Sequence, residues 1–245
     1  MTFALVTGAA KRIGKEIALH LASKGYDIVL HYNSSEKEAH ETANQIKSFG
    51  VSVELCRADL SCTEDVEKLI SFCRDFPISV LINNASVFEN DSILSEDIAE
   101  SLNKHLQVNL ISKASLIQSI AKSVLLHQNN KLDIINLLDY GVVKTPHNFF
   151  SYHLTNKILH SFTQLAAKQL APNVRINSIA LGQTLKNDRQ SDDAFDEARR
   201  STPLGVSSTI KELLMALDFI LGVESLTGQV IFLDGGMHLS DNKYK

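Results

Sequence analysis

The order of apolar runs along the chain predicts an α/β fold: one mainly parallel, doubly wound sheet of about seven strands, with helices on both faces. Three observations carry this prediction. Short apolar runs recur at intervals that leave room for a helix between them. The stretches in between place apolar residues at helical spacing, as in Ile13, Ile17 and Leu21, and again in Val66, Leu69, Ile70 and Cys73. Strand and helix alternate almost throughout. Right-handed crossovers between parallel strands then collect the carboxyl ends of the strands along one edge, where ligands bind.

Taken in order, the first strand is FALV at 3–6, followed by a glycine-bracketed turn and the first helix. DIVLHY at 27–32 and VSVELC at 51–56 are the second and third strands, and SVLI at 79–82 is the fourth. LDIINL at 132–137, VRINSIA at 174–180 and QVIFL at 229–233 complete the set. No linker, repeat or low-complexity segment interrupts them, so residues 1–245 are expected to form one domain. The one long polar interruption, residues 182–202, is rich in charge and short of apolar periodicity. It is expected to be a mobile loop with some helix, lying over the ligand edge.

Bulk properties exclude several classes. The 245 residues carry a formal charge of -4, and their lysines and arginines are scattered, which argues against a nucleic-acid surface. Cys56, Cys62 and Cys73 are odd in number and lack paired metal-ligand spacing, so neither a disulfide framework nor a metal is expected. The chain opens MTFALVTG without a charged leader, and no apolar run is long enough to span a bilayer. A cytoplasmic location without a membrane partner is the expectation.

The turn after the first strand reads LVTGAAKRIGKE. Gly8 and Gly14 let backbone N–H groups at the helix start approach a diphosphate, although Arg12 stands where a three-glycine fingerprint has its middle glycine. The second strand ends LHYNSS with no acid at its tip, where an NAD-specific site places a carboxylate on the ribose hydroxyls. Lys11, Arg12, Ser34 and Ser35 can instead accept a 2′-phosphate. Cations at a helix start oppose its dipole, and an anion nearby removes that conflict. Asp59, after the third strand, can accept a bond from an adenine amino group, and Asn83 to Ser86 follow the fourth strand alongside the cofactor.

TGAAKRIG, NNAS, Asn109, Tyr152, VRINSIALG and LDGG, in this order and spacing, resemble the short-chain dehydrogenase/reductase family over essentially the whole chain, and hence a Rossmann-type fold. Four features narrow the resemblance to pteridine reductases and to dihydromonapterin or dihydrofolate reductases of this fold. They are arginine within TGAAKRIG, LHYNSS after the second strand, NNASVF in place of NNAG, and LDYGVV with an acid where most members have serine. The resemblance implies NADPH as cofactor, held by Gly8, Lys11, Arg12, Ile13, Gly14, Tyr32, Asn33, Ser34, Asp59, Leu60, Asn84, Ala85, Ser86, Tyr152 and Gly182. It implies a pterin-like substrate at Arg12, Ser86, Phe88, Asp139 and Tyr152, with Phe88 stacking on the ring; a core aromatic is the alternative for Phe88. Asp139 is either the acid of the reacting pair with Tyr152 or a turn acid after the fifth strand. Asn109 is implied to organise a proton-relay water. Homotetramers built through the helices after the fourth and fifth strands are implied as well.

The chemistry needs a hydride on carbon and a proton on nitrogen. In the family, a tyrosine supplies the proton and a lysine four residues later, on the same helical face, lowers its pKa and grips the ribose. Here Asn156 holds the lysine's place. Pairing His153 with Lys157 restores the spacing, but the interval from Asn156 to LAP at 170–172 matches the family's, which makes Tyr152 and Asn156 the aligned pair. Lys157 lies about 100° further around the helix. A protonated Asp139 offers an alternative proton source. Another short-chain carbonyl reductase, such as a 3-oxoacyl thioester reductase, and a catalytically weakened NADP(H)-binding protein are the competing readings.

Overall fold

The computed structural model describes residues 2–126, 131–144, 147–186 and 190–240. Seven strands, all parallel, form one sheet: β1 (Phe3–Val6), β2 (Asp27–Tyr32), β3 (Val53–Arg57), β4 (Ile78–Asn83), β5 (Leu132–Asp139), β6 (Val174–Leu181) and β7 (Val230–Leu233), in the spatial order 3-2-1-4-5-6-7. Alternation along each strand divides the interior in two. Ala4, Val6, Ile28, Leu30, Val80 and Ile82 face one core, and Leu5, Val29 and Leu81 face the other. The first core is closed by α1 (Arg12–Ser23), α2 (Glu36–Lys47) and α8 (Ile210–Gly222). The second is closed by α3 (Thr63–Cys73), α5 (Ser112–Leu126) and α6 (Phe150–Leu170). Burial on both faces is why the strands read as nearly continuous apolar runs. The chain order reverses between β1 and β4, which opens a crevice at their carboxyl ends.

Polar residues fix this arrangement where apolar packing alone would not. Asn83 donates to the Asn136 Oδ1 at 2.8 Å, Asn136 donates to the Thr163 hydroxyl at 2.9 Å, and Thr163 meets Ser178 at 3.2 Å. This buried ladder joins β4, β5, α6 and β6 in one register. The Arg175 guanidinium sits against the carboxyl end of α8, donating to the carbonyls of Ile220, Leu221, Val223 and Leu226 and pairing with Asp133 at 2.8 Å. A cation at a helix C-terminus satisfies the orphan carbonyls and the dipole together.

Residues 182–202 hold some helix, as expected of this loop. Within the described part lies α7 (Asp192–Arg200); residues 187–189 fall outside the described residues. Ser191 caps α7 by accepting from the Ala194 N–H, Asp192 and Asp193 stand at its first turn and Arg199 and Arg200 at its last. Arg199 pins the helix to the carbonyls of Gln183, Ser207 and Ser208. End effects and one anchor, not an apolar stripe, hold this helix, so periodicity does not reveal it. Before α5, α4 (Ile98–Leu106) runs into a π-helical turn, Gln107–Ile111. Among the described residues, no helix is long and apolar enough to cross a membrane.

Candidate active site

The crevice at the β1–β4 reversal is built from its backbone upward. Thr7 Oγ1 donates to the Ile82 carbonyl and accepts from the N–H groups of Asn84 and Ala85, each at 3.0 Å. The Asn84 amide donates back to the carbonyls of Thr7 and Gly8. His31 completes the clamp: Nε2 donates to the Ala58 carbonyl and Nδ1 accepts from the Gly8 N–H, both at 3.0 Å. Burial holds this imidazole neutral, with its pKa lowered to about 4. Gly8 has φ 64°, and a Cβ on Gly14 would stand 2.2 Å from the Gly8 carbonyl oxygen. Two glycines are therefore required, one for its backbone conformation and one for close approach.

In front of this turn lies a cavity of about 820 Å³, large enough for a dinucleotide. Every residue expected at the cofactor lines it except Gly182, which lines a smaller cavity alongside. Of its lining residues Lys11, Arg12 and Lys104 are cations and Asp59 is the single acid. One oxygen of Asp59 accepts from the Ser61 N–H and hydroxyl at 2.9 and 2.7 Å, and these bonds hold its pKa below the ordinary carboxylate value. No acid stands at the end of β2, where Tyr32, Asn33 and Ser34 line the wall. The donor set thus fits a dinucleotide carrying a 2′-phosphate. Arg12 adopts φ 55°, and its guanidinium donates to the carbonyls of Lys186 and Leu185 at 2.8 and 3.4 Å. It clasps the first turn to the segment after β6.

The smaller cavity, about 190 Å³, gathers Asp139, Tyr152, Asn156, Asn109 and Ser86. Asp139 ends β5 and caps the following 3₁₀ turn, Tyr140–Val143, its Oδ1 accepting from the Gly141 N–H at 2.7 Å. It is thus a turn acid, and it lines the same cavity as Tyr152. Burial raises its pKa to about 7, with the negative charge of Asp234 adding to the effect against the Gly141 bond. Burial, together with the nearby Asp139, pushes the Tyr152 phenol well above its ordinary value, so it stays protonated. Asn156 accepts from the Asp139 N–H at 3.1 Å and donates to the Tyr152 carbonyl at 3.0 Å, tying β5 to α6. His153 Nδ1 lies 3.7 Å from Asp139, but burial drops the imidazole to about pKa 4, so the two make no ion pair at neutral pH.

Three further residues take definite places. Asn109 gives its whole amide to the protein: Oδ1 accepts from the Val87 N–H at 2.8 Å, and Nδ2 donates to the Val87 carbonyl and the Thr155 hydroxyl. Its side chain holds the segment after β4. Lys157 Nζ donates to the Val142 carbonyl at 3.1 Å, and Lys157 is not among the residues that line the cavity holding Tyr152. Phe88 is 42% exposed, which rules out a core aromatic. It stacks on Phe149, with ring centroids 4.2 Å apart and planes at 9°, and meets the Tyr152 ring edge-on at 4.7 Å. One face of Phe88 is therefore already covered.

Two residues at this site were not anticipated from the sequence. Phe149 precedes α6 in the left-handed region, φ 59°, and no sequence signal marks a phenylalanine for that conformation. Lys113, on α5, lines the cavity that holds Tyr152. A signal for it existed, since it follows Asn109 by four residues.

Known proteins resemble the chain over its length. A family model described as enoyl-(acyl carrier protein) reductase matches residues 8–238. The FolM alternative dihydrofolate reductase 1 of Brucella canis, solved in complex with NADP, is 34% identical with a TM-score of 0.92, covering 100% of this chain and 96% of that one. Its Brucella suis counterpart, also in complex with NADP, is 34% identical with a TM-score of 0.92 over 99% and 97% of the two chains. The 3-oxoacyl-(acyl-carrier-protein) reductase FabG of Staphylococcus epidermidis is 28% identical over 244 residues, 96% of this chain and 98% of the relative.

Proposed function

The chain belongs to the short-chain dehydrogenase/reductase family, and from that premise we propose that it is an NADPH-dependent reductase of a pterin-type substrate, a dihydropterin or dihydrofolate. The observation that carries the reading is the pairing, in one cavity, of a carboxyl lifted to about pKa 7 with a phenol raised well above its ordinary value. Stacked aromatic rings stand beside the phenol. The Brucella structures supply the same direction for substrate and cofactor.

NADPH bound in the larger cavity would supply the hydride. Everything else falls to the chain. The N–H groups around Gly8 and the cations Lys11 and Arg12 receive phosphate charge, and the acid-free end of β2 leaves room for the 2′-phosphate. A carboxyl with a pKa near 7 is about half protonated at neutral pH and can both release and recover a proton, which suits a general acid. Tyr152, protonated at neutral pH, works as a hydrogen-bond donor that orients the accepting nitrogen or passes on the Asp139 proton. Asn156 keeps the two aligned through its paired bonds. Phe88 presents its uncovered face and edge to a flat heterocycle. On the outer surface, Ile111, Ile158 and Leu165 are exposed apolar residues next to or on α5 and α6, suited to contacts between copies in a tetramer.

A 3-oxoacyl thioester reductase is the second reading, favoured by the FabG relatives. The two are separated by following NADPH oxidation against dihydromonapterin, dihydrobiopterin, dihydrofolate and an acetoacetyl thioester. Turnover is expected with at least one pterin, none with the thioester, and at least tenfold tighter binding of NADPH than NADH, about 1.4 kcal/mol. Turnover of the thioester alone would overturn the pterin assignment.

A further inference from the structure

Lys113 is 2% exposed, and among the described residues it is the one lysine or arginine that is buried. Its ammonium has no hydrogen-bond or ion-pair partner among those residues, and desolvation alone pulls its pKa down, to about 8. At neutral pH it remains mostly charged. Burying a cation without an anion is costly, and a chain that keeps one there needs either an occupant or a use for the charge. The side chain borders the 190 Å³ cavity whose other walls include Tyr152, Asn109 and Asn156. Asn156 cannot supply a charge, and Lys157 has been diverted to the Val142 carbonyl.

We propose that Lys113 supplies from α5 the positive charge of the active site, in the space that the short Asn156 side chain leaves open. It acts as a positioning residue, through the polar contents of the cavity, to favour electron-rich oxygens at the Tyr152 end of the bound dinucleotide. This role rests on the reductase reading, but its binding consequence does not depend on which substrate is reduced. The relation is a change of helix: the ammonium enters the cavity from the α5 side instead of the α6 side.

Four proteins test it: wild type, Lys113→Met, Asn156→Lys, and the double variant. Each is measured for melting temperature, for NADPH affinity by calorimetry, and for kcat and KM with dihydrofolate or the preferred pterin. Lys113→Met is expected to melt at or above the wild-type temperature, because an unpaired buried charge is removed. It should bind NADPH at least fivefold more weakly and lose at least tenfold in kcat. The double variant should recover most of the affinity loss, while its kcat stays low because the Asn156 amide no longer bridges Asp139 and Tyr152. Asn156→Lys alone, with two ammonium groups in one cavity, should melt lower than wild type and gain no rate. A Lys113→Met protein within twofold of wild type in affinity and kcat overturns the proposal, as does a double variant that binds NADPH no better than Lys113→Met. Should Lys113→Met fail to fold, Lys113→Gln carries the same comparison. If none of the proteins reduces a pterin, the reductase reading fails while the affinity cycle still decides the role of Lys113.

Discussion

Replacing Asp139 with asparagine separates the two duties of that residue, because the amide oxygen can still cap Gly141 while the group can no longer ionise. In the folded protein the carboxyl binds its proton more tightly than in the unfolded chain, with a pKa of about 7 against the ordinary 3.8. Below pH 3.8 both states hold the proton and the group contributes nothing. As pH rises from there to about 7, the unfolded chain releases the proton first and wild type loses stability; above that the penalty is complete. At about 1.36 kcal/mol for each tenfold in proton affinity, the full difference is roughly 4 kcal/mol. The side chain is 21% exposed, so solvent reduces this and roughly 2–4 kcal/mol is expected at pH 8. Denaturant unfolding of wild type and Asp139→Asn between pH 4.5 and 8.5 measures it. The variant should gain on wild type across that range, and pterin reduction by wild type should fall as pH climbs through about 7. A stability difference that does not move with pH would refute the reasoning, as would an asparagine variant that retains full turnover.

Gly14→Ala forces a methyl to within 2.2 Å of the Gly8 carbonyl and 2.6 Å of the Asn84 amide. Overpacking of this kind costs about 1–3 kcal/mol, and NADPH affinity should fall at least tenfold in calorimetry; unchanged affinity would mean that the turn does not hold the cofactor. Phe149→Ala removes the stacked partner of Phe88, worth about 0.5–1.5 kcal/mol. It should raise KM for the pterin several-fold while leaving NADPH binding intact, whereas equal losses would reduce Phe149 to packing. Lys157→Ala removes the bond to the Val142 carbonyl and a positive charge near His153 and His160. Its kcat should stay within threefold of wild type, and a large drop would place that ammonium in the chemistry after all.

Strands were the most legible part of the sequence, for a physical reason. Runs such as DIVLHY are buried on both faces, so apolar residues follow one another directly and only Asp27 and His31 are polar. The boundaries were less so: β5 continues through Leu138 to Asp139, because a polar residue ending a strand at the ligand edge looks like the turn that follows it. The dinucleotide residues were legible because their constraints are local backbone constraints. The cavity around Tyr152 was legible only in part. Asn109 and Asn156 could be named, but not that their amides are spent on Val87, Asp139 and the Tyr152 carbonyl. Those bonds join segments distant in the chain. Lys113 was legible by position but not by type: it falls in the buried stripe of α5 with Leu116, Ile117, Ile120 and Val124, where a charged residue reads as a break in the stripe.

Asp91 carries a consequence for motion. Its Oδ1 accepts from the Ser151 N–H at the first turn of α6, and its Oδ2 accepts from the Ser101 hydroxyl on α4 at 2.6 Å. Its carbonyl also accepts from the Phe150 N–H. The segment that carries Phe88 therefore cannot swing outward with α4 unless the start of the tyrosine helix loosens with it. Amide exchange should report this as a shared opening event, with the N–H groups of Phe150 and Ser151 losing protection together with those of α4. Admission of a flat substrate past Phe88 and disengagement of the proton donor would then be two faces of one fluctuation, so that the phenol is held firmly only when the entrance is shut.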